Sequence, residues 1–188
     1  MIPNRDALLL LDLQNAFFDE AGLAQHQDTL EAAANRLSEA ARAADVPVII
    51  ISTEHSRDES TWTLNMLSAG EGFLFHGDEG TQVIPGVNTE GATQMEKTRD
   101  SAFFGTDLDL RLKNLKVSRI VLAGVSTHGC IAQTTRDAYS HNLRVTLVTD
   151  AVADTDDGYH HSQLERLEAD RQATLSTVDE ILEHWEQA

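Results

Sequence analysis

At 188 residues, 41% of them hydrophobic, the chain has the size and composition to fold around one core and is read as a single domain over 1–188. Its 31 Asp and Glu against 14 Lys and Arg leave a net charge of −17, a surface that repels phosphate backbones and anionic lipid, so nucleic acid and membranes are not expected partners. No apolar run approaches the roughly 18 residues of a membrane span, and the only cysteine, Cys130, excludes an internal disulfide or a multi-cysteine zinc site.

The polar opening MIPNRD and an apolar run cut short at Asp12 lack a signal-peptide core, so the expected location is cytoplasmic. Residues 7–11 form a buried strand whose carboxyl end delivers Asp12, either into a crevice or as a turn cap. Residues 28–44 place Leu30, Ala33, Ala34, Leu37 and Ala41 on one face and predict an amphipathic helix. Pro47 then opens a second strand over 48–51. Residues 53–88 keep no period but carry Trp62, Phe73 and Phe75, as an ordered lid or pocket wall does. Trp62 there either stacks on a ligand or anchors the loop. His55 and His76 have no metal-ligand spacing and are expected at the solvent surface. Residues 92–97 read as a third strand ending on Lys97, and Thr106 as the cap of a helix carrying Leu108, Leu112 and Leu115.

The most informative stretch follows. Ile120, Val121 and Leu122 form a buried strand that stops at Ala123-Gly124, and a helical pattern begins at Ile131. Cys130 therefore lies where a strand's carboxyl end meets a helix amino terminus, the place where parallel sheets bind ligands. Unpaired N–H groups there favour a thiolate and hold an oxyanion. A lone cysteine is also a common core residue, and position alone does not decide between the two. Further strands at 143–148, ending at Asp150, and 173–176 alternate with helices at 154–169 and 178–185. Strands and helices in alternation argue for a parallel sheet covered on both faces. Asp12, Lys97 and Cys130 then fall at the carboxyl ends of three strands and point into one crevice.

The segments 8–17 (LLLLDLQNAF), 96–108 (EKTRDSAFFGTDL), 120–139 (IVLAGVSTHGCIAQTTRDAY) and 145–154 (VTLVTDAVAD) together resemble the isochorismatase-like cysteine hydrolases. That group includes nicotinamidases and N-carbamoylsarcosine amidohydrolase. The resemblance implies an α/β, three-layer α/β/α fold with a mostly parallel, Rossmann-like sheet of about six strands. It implies a catalytic triad of Asp12, Lys97 and Cys130, a cis peptide between Val125 and Ser126, and an oxyanion site at backbone N–H groups near Ser126 and Cys130. Pocket walls are expected from Phe17, Trp62, Phe103, Thr127 and His128.

Nicotinamidases carry an Asp-x-His metal pair where this chain reads Thr53-Glu54-His55, and the Glu54 side chain would face away if the strand continues. No metal and no cofactor are therefore expected. Several isochorismatases have glycine in place of Cys130, so the thiol favours C–N hydrolysis over vinyl-ether cleavage; an inert small-molecule binder of the same fold is the other alternative. A redox sensor would want a resolving cysteine, and the glycines at 124 and 129 lack the Gly-Lys-Ser/Thr ending of a phosphate loop. The expected partners are a small-molecule substrate and further copies of the chain, as a dimer or tetramer.

Overall fold

The computed structural model describes residues 5–187. Residues 7–11 have no solvent exposure and place β1 (Arg5–Leu11) at the sheet's centre, because a strand covered on both faces needs no polar alternation. Two short helices, α1 (Asn15–Phe18) and α2 (Ala21–Ala24), lead into the long α3 (Gln27–Ala43), and the chain returns to the sheet as β2 (Val48–Thr53). After α4 (Leu64–Ala69) come the edge strand β3 (Thr93–Lys97), α5 (Leu108–Asn114) and β4 (Val117–Val125). A kinked turn over Thr127–Ile131 opens α6 (Ala132–Ser140), followed by β5 (Arg144–Ala153), α7 (Asp157–Ala169), β6 (Thr174–Ser176) and α8 (Val178–Glu186).

The six strands run in the order β3-β2-β1-β4-β5-β6, every neighbour pair parallel. Leu8, Leu10, Ile50 and Val121 face α3 and α8, whereas Leu9, Leu11, Ile51 and Leu122 face α5, α6 and α7. The result is a three-layer α/β/α fold. The strand order reverses direction between β1 and β4, the switch point at which a crevice opens outside the strand ends. Asp12 leaves one side of that point and the Cys130 turn leaves the other.

Three expectations change. The strand expected to end before Asp150 runs on as β5 to Ala153: its register against β4 shifts between Leu122 and Gly124, where extra residues bulge out. Asp150 instead accepts the Val178 N–H at 2.8 Å at the start of α8, and the helix expected from 154 begins at Asp157, capped by Asp156. Asp107, not Thr106, occupies the cap position of α5, although the Thr106 hydroxyl accepts the Leu108 N–H at 3.2 Å. The stretch 53–88 is ordered by α4 and a 3-10 turn at Glu79–Thr81. Among the described residues no helix is long and apolar enough to cross a membrane.

Gly124 shows how tightly the switch point is built. Its φ is +121°, and a Cβ there would lie 2.0 Å from the Leu11 carbonyl oxygen, one residue before Asp12. Backbone atoms cannot yield as a side-chain tip can. Gly124→Ala should therefore cost about 2–5 kcal/mol of stability. A thermal melt of that variant, compared with Gly129→Ala, where a Cβ meets nothing within 4 Å, is the measurement; equal melting of the two would contradict it.

Candidate active site

Asp12, Lys97 and Cys130 come together at the carboxyl ends of the strands. Lys97 Nζ lies 2.9 Å from Asp12 Oδ2 and 3.2 Å from Cys130 Sγ. Its third contact is the Thr53 hydroxyl at 2.6 Å, which in turn donates to Asp12 Oδ1 at 2.8 Å. The ammonium thus donates to Thr53 and Cys130 and pairs in charge with Asp12. Lys97 begins on edge strand β3, two strands from β1, and Thr53 is its register partner on β2 between them. Strand spacing of about 4.8 Å means that only a long side chain spans that gap. Asp12 leaves β1 with φ +55°, a left-handed turn uncommon for a residue with a side chain. Both charged groups are fully buried, and Cys130 is partly exposed.

The electrostatics separate the roles. Burial opposes the Lys97 ammonium, but the Asp12 charge and Cys130 outweigh it, so its pKa lies above the ordinary lysine value. Burial, and then the Asp12 charge, push the Cys130 thiol up, and Lys97 offsets only part of this. The expectation of a preformed thiolate at a helix terminus is thereby corrected. Cys130 sits inside the kinked turn, before α6 begins at Ala132, with Gly129 at φ −95° and ψ −106°. These surroundings favour the thiol over the thiolate.

The turn itself is pinned from β5. The carboxylate of buried Asp154 accepts the His128 backbone N–H at 2.7 Å and contacts His128 Nδ1 at 2.7 Å. Thr127, also buried, donates its hydroxyl to the Ala153 carbonyl at 3.0 Å. The Ser126 carbonyl accepts from Gly129 and Ile131, closing the turn around the cysteine, and the Val125–Ser126 peptide bond is cis. On the opposite side, the Gln14 side chain clamps Thr53: its amide donates to the Thr53 and Thr81 carbonyls and its oxygen accepts the Thr53 N–H at 2.8 Å. Asp154, Thr53 and Gln14 were not singled out from sequence. The only local signal was that each is a polar residue beside a buried strand end.

The residues expected to wall a pocket are spread apart. Thr127 and His128 belong to the Cys130 turn, and Phe17 is half-buried just after Asp12. Trp62 is 8% exposed, donates its indole N–H to the Ser56 carbonyl at 2.9 Å and packs against Phe75, which makes it an anchor of the loop. Phe103 stacks on His141, past the carboxyl end of α6 and away from Cys130. His55, expected in solvent, is buried with Nδ1 2.9 Å from the Thr61 carbonyl. Since a carbonyl only accepts, Nδ1 carries the proton. Burial, reinforced by the nearby charges of Arg99 and Lys97, lowers its pKa despite that bond. A cavity of about 460 Å³ opens beside Gln133, Arg99 and Phe104, three residues past the cysteine at its nearest point in the chain. A wider groove of about 820 Å³ lies at the amino ends of β5 and β6, so volume alone does not mark the chemistry.

A metal beside Cys130 does not fit. Where nicotinamidases resemble one another in an aspartate, this chain has Thr53, whose hydroxyl is committed to Asp12 and Lys97. Glu54, His76 and Glu96 do converge, each with a ligand atom within 4.8 Å of the others. The Glu54 N–H donates to the Lys97 carbonyl at 3.1 Å, so the extended chain continues and alternation turns Glu54 and Glu96 away from the side of Thr53 and Lys97.

Residues 6–180 match the Isochorismatase domain family. A probable inactive nicotinamidase of Arabidopsis thaliana is 36% identical over 156 residues, covering 78% of this chain and 80% of that protein. Among solved structures, an isochorismatase family protein from Desulfovibrio vulgaris superposes with a TM-score of 0.83 at 27% identity, covering 94% of this chain and 96% of the other. N-carbamoylsarcosine amidase from Thermoplasma acidophilum gives 0.79 at 25% identity, over 93% and 97%.

The charge arrangement is open to direct measurement. Alkylation of Cys130 by iodoacetamide should rise with a midpoint above the ordinary thiol value of about 8.5. Asp12→Asn, which removes a charge that opposes the thiolate, should lower that midpoint, and Lys97→Ala should raise it. A plateau reached near neutral pH in the parent protein would contradict the resting thiol.

Proposed function

The chain belongs to the isochorismatase family of hydrolases, and on that premise we propose that it is a cysteine-dependent amidohydrolase cleaving a C–N bond in a small amide, ureide or carbamoyl compound. The observation that carries this reading is the contact of one buried ammonium with both a carboxylate and the only thiol in the chain. Solved relatives named as nicotinamidase and as N-carbamoylsarcosine amidase support the same bond type.

The geometry suits a sequence of balanced proton transfers. Asp12 takes the Cys130 proton as the sulfur attacks the carbonyl carbon, so the nucleophile forms at the moment of attack. Lys97, held charged, stabilises the developing thiolate without acting as an acid. Backbone N–H groups of the turn near Ser126 and Cys130 hold the oxyanion. When the C–N bond breaks, protonated Asp12 returns its proton to the leaving nitrogen and a thioester remains. Asp12 then accepts a proton from water as the hydroxide adds, and collapse releases the acid and expels the sulfur, which takes that proton back from Asp12 and is again the thiol.

Substrate enters by the cavity beside Gln133. No metal or cofactor takes part in these steps. We also propose that the chain works as a dimer or tetramer in the cytoplasm, with the exposed side chains of Leu64 and Phe104 supplying apolar contact surface; sedimentation velocity tests the assembly.

An ammonia-release screen over primary amides, ureides and N-carbamoyl amino acids examines the reaction. Cys130→Ala should lower turnover of any hit by at least about a thousandfold while leaving the melting temperature near that of the parent. Equal turnover by the alanine variant, or no release from any of the three classes, would remove the proposal. Binding without turnover would point to an inert member of the fold.

A further inference from the structure

We propose that Thr53 is a positioning residue that assigns separate tasks to the two oxygens of Asp12, holding Oδ1 by a donated hydrogen bond so that Oδ2 is the atom that exchanges the proton with Cys130. This rests on the hydrolase reading of the same site and adds a residue that the triad does not contain.

The assignment follows from donor and acceptor arithmetic. An ammonium only donates, so the Thr53 hydroxyl, 2.6 Å from Lys97 Nζ, must accept there. Its single proton is left for Asp12 Oδ1, 2.8 Å away. Oδ1 thereby has a fixed donor, which Oδ2 lacks. Oδ2 is buried and has no donor aligned with it as a hydrogen bond; Lys97 approaches it at 2.9 Å as an ion pair outside that geometry. A lone pair on Oδ2 is therefore left to receive the thiol proton. In the step, the Cys130 S–H bond breaks, an O–H bond forms at Oδ2, and the sulfur electron pair makes the bond to carbon.

Thr53 is itself held rigidly. Gln14 grips its N–H at 2.8 Å and its carbonyl at 3.0 Å, and the residue is 8% exposed. Its place on β2 lies directly under the path that Lys97 takes from β3 to β1. A hydroxyl at this position orders both charged groups at once, and an apolar residue of the same shape would strand two buried polar contacts.

Thr53→Val and Thr53→Ser separate the hydroxyl from the shape. With aspartate labelled at the carboxyl carbon, and the Asp12 signal assigned by its loss in Asp12→Asn, NMR follows the chemical shift of that group without any substrate. Thr53→Val should displace the signal, because the donor to Oδ1 is gone, and Thr53→Ser should keep it with the parent. On the best amide from the screen, Thr53→Val should lose roughly 10- to 100-fold in kcat with KM little changed, and serine should restore it. Should the valine variant fail to fold, Thr53→Ala gives the same readout. An Asp12 chemical shift unmoved in the folded valine or alanine variant, or moved equally by serine, would overturn the assignment. Failure of the amide screen would remove the proposed reaction and leave the NMR result standing.

Discussion

The site depends on a buried ion pair that the fold must hold in register. Taking Asp12 and Lys97 out of water is costly, and leaving either without its partner costs about 3–5 kcal/mol. The pair persists because the ammonium also donates to Thr53 and Cys130 and because the groups it joins leave strands that cannot slide. β1, β2 and β3 are in continuous parallel register through Leu11, Ile51 and Met95, just below the three residues that meet above them. A shift by one residue would turn Lys97 to the opposite face. The apolar core under the crevice therefore does more than stabilise the chain, since it fixes where one long side chain ends.

Topology explains why the three residue types come from three distant segments. The chain lays down β1, β2 and β3 outward, then crosses back to place β4 beside β1. Asp12 and the Cys130 turn flank the reversal, where no crossover helix covers the strand ends. Lys97 arrives from the edge, over β2. Thr53 is the residue beneath that reach. A shorter cation at 97 would stop above Thr53 and leave Asp12 unpaired, which gives a physical reason for lysine at that distance.

Much of this arrangement was legible in the sequence. Asp12 ends an apolar run, Lys97 ends a short strand and Cys130 follows the turn after another apolar run, and parallel strands put such residues at one end of a sheet. What was not legible depends on contacts across the sheet. Asp154 was placed in a helix because the apolar run in β5 breaks at Thr149-Asp150; the bulge that carries the strand on to Ala153 is a property of its pairing with β4. Thr53 and Gln14 carry no pattern of their own, since a threonine at a strand end and a glutamine in a loop are ordinary residues until their partners are known. Trp62 and Phe103 were expected beside substrate on aromatic character alone. The loop around Trp62 and the far end of α6 use that character for packing instead.

The direction of the Cys130 shift bears on the proposed chemistry more than the presence of the thiol does. A helix terminus by itself argues for a standing thiolate. Cys130 does follow the kink at Gly129 and stand just before α6, but the surroundings that weigh most on it are its burial and a neighbouring carboxylate. Both oppose charge on sulfur. In the proposed reaction the same carboxylate is the base that removes the proton, so the group that disfavours the thiolate at rest also enables its formation when a carbonyl carbon is in place to accept the electron pair. Under that arrangement, nucleophile and leaving-group acid arise from one proton moving between Cys130 and Asp12, and Lys97 keeps its charge throughout. The lysine is then needed for its position and its permanent charge, and its raised pKa is a consequence of the two partners it holds.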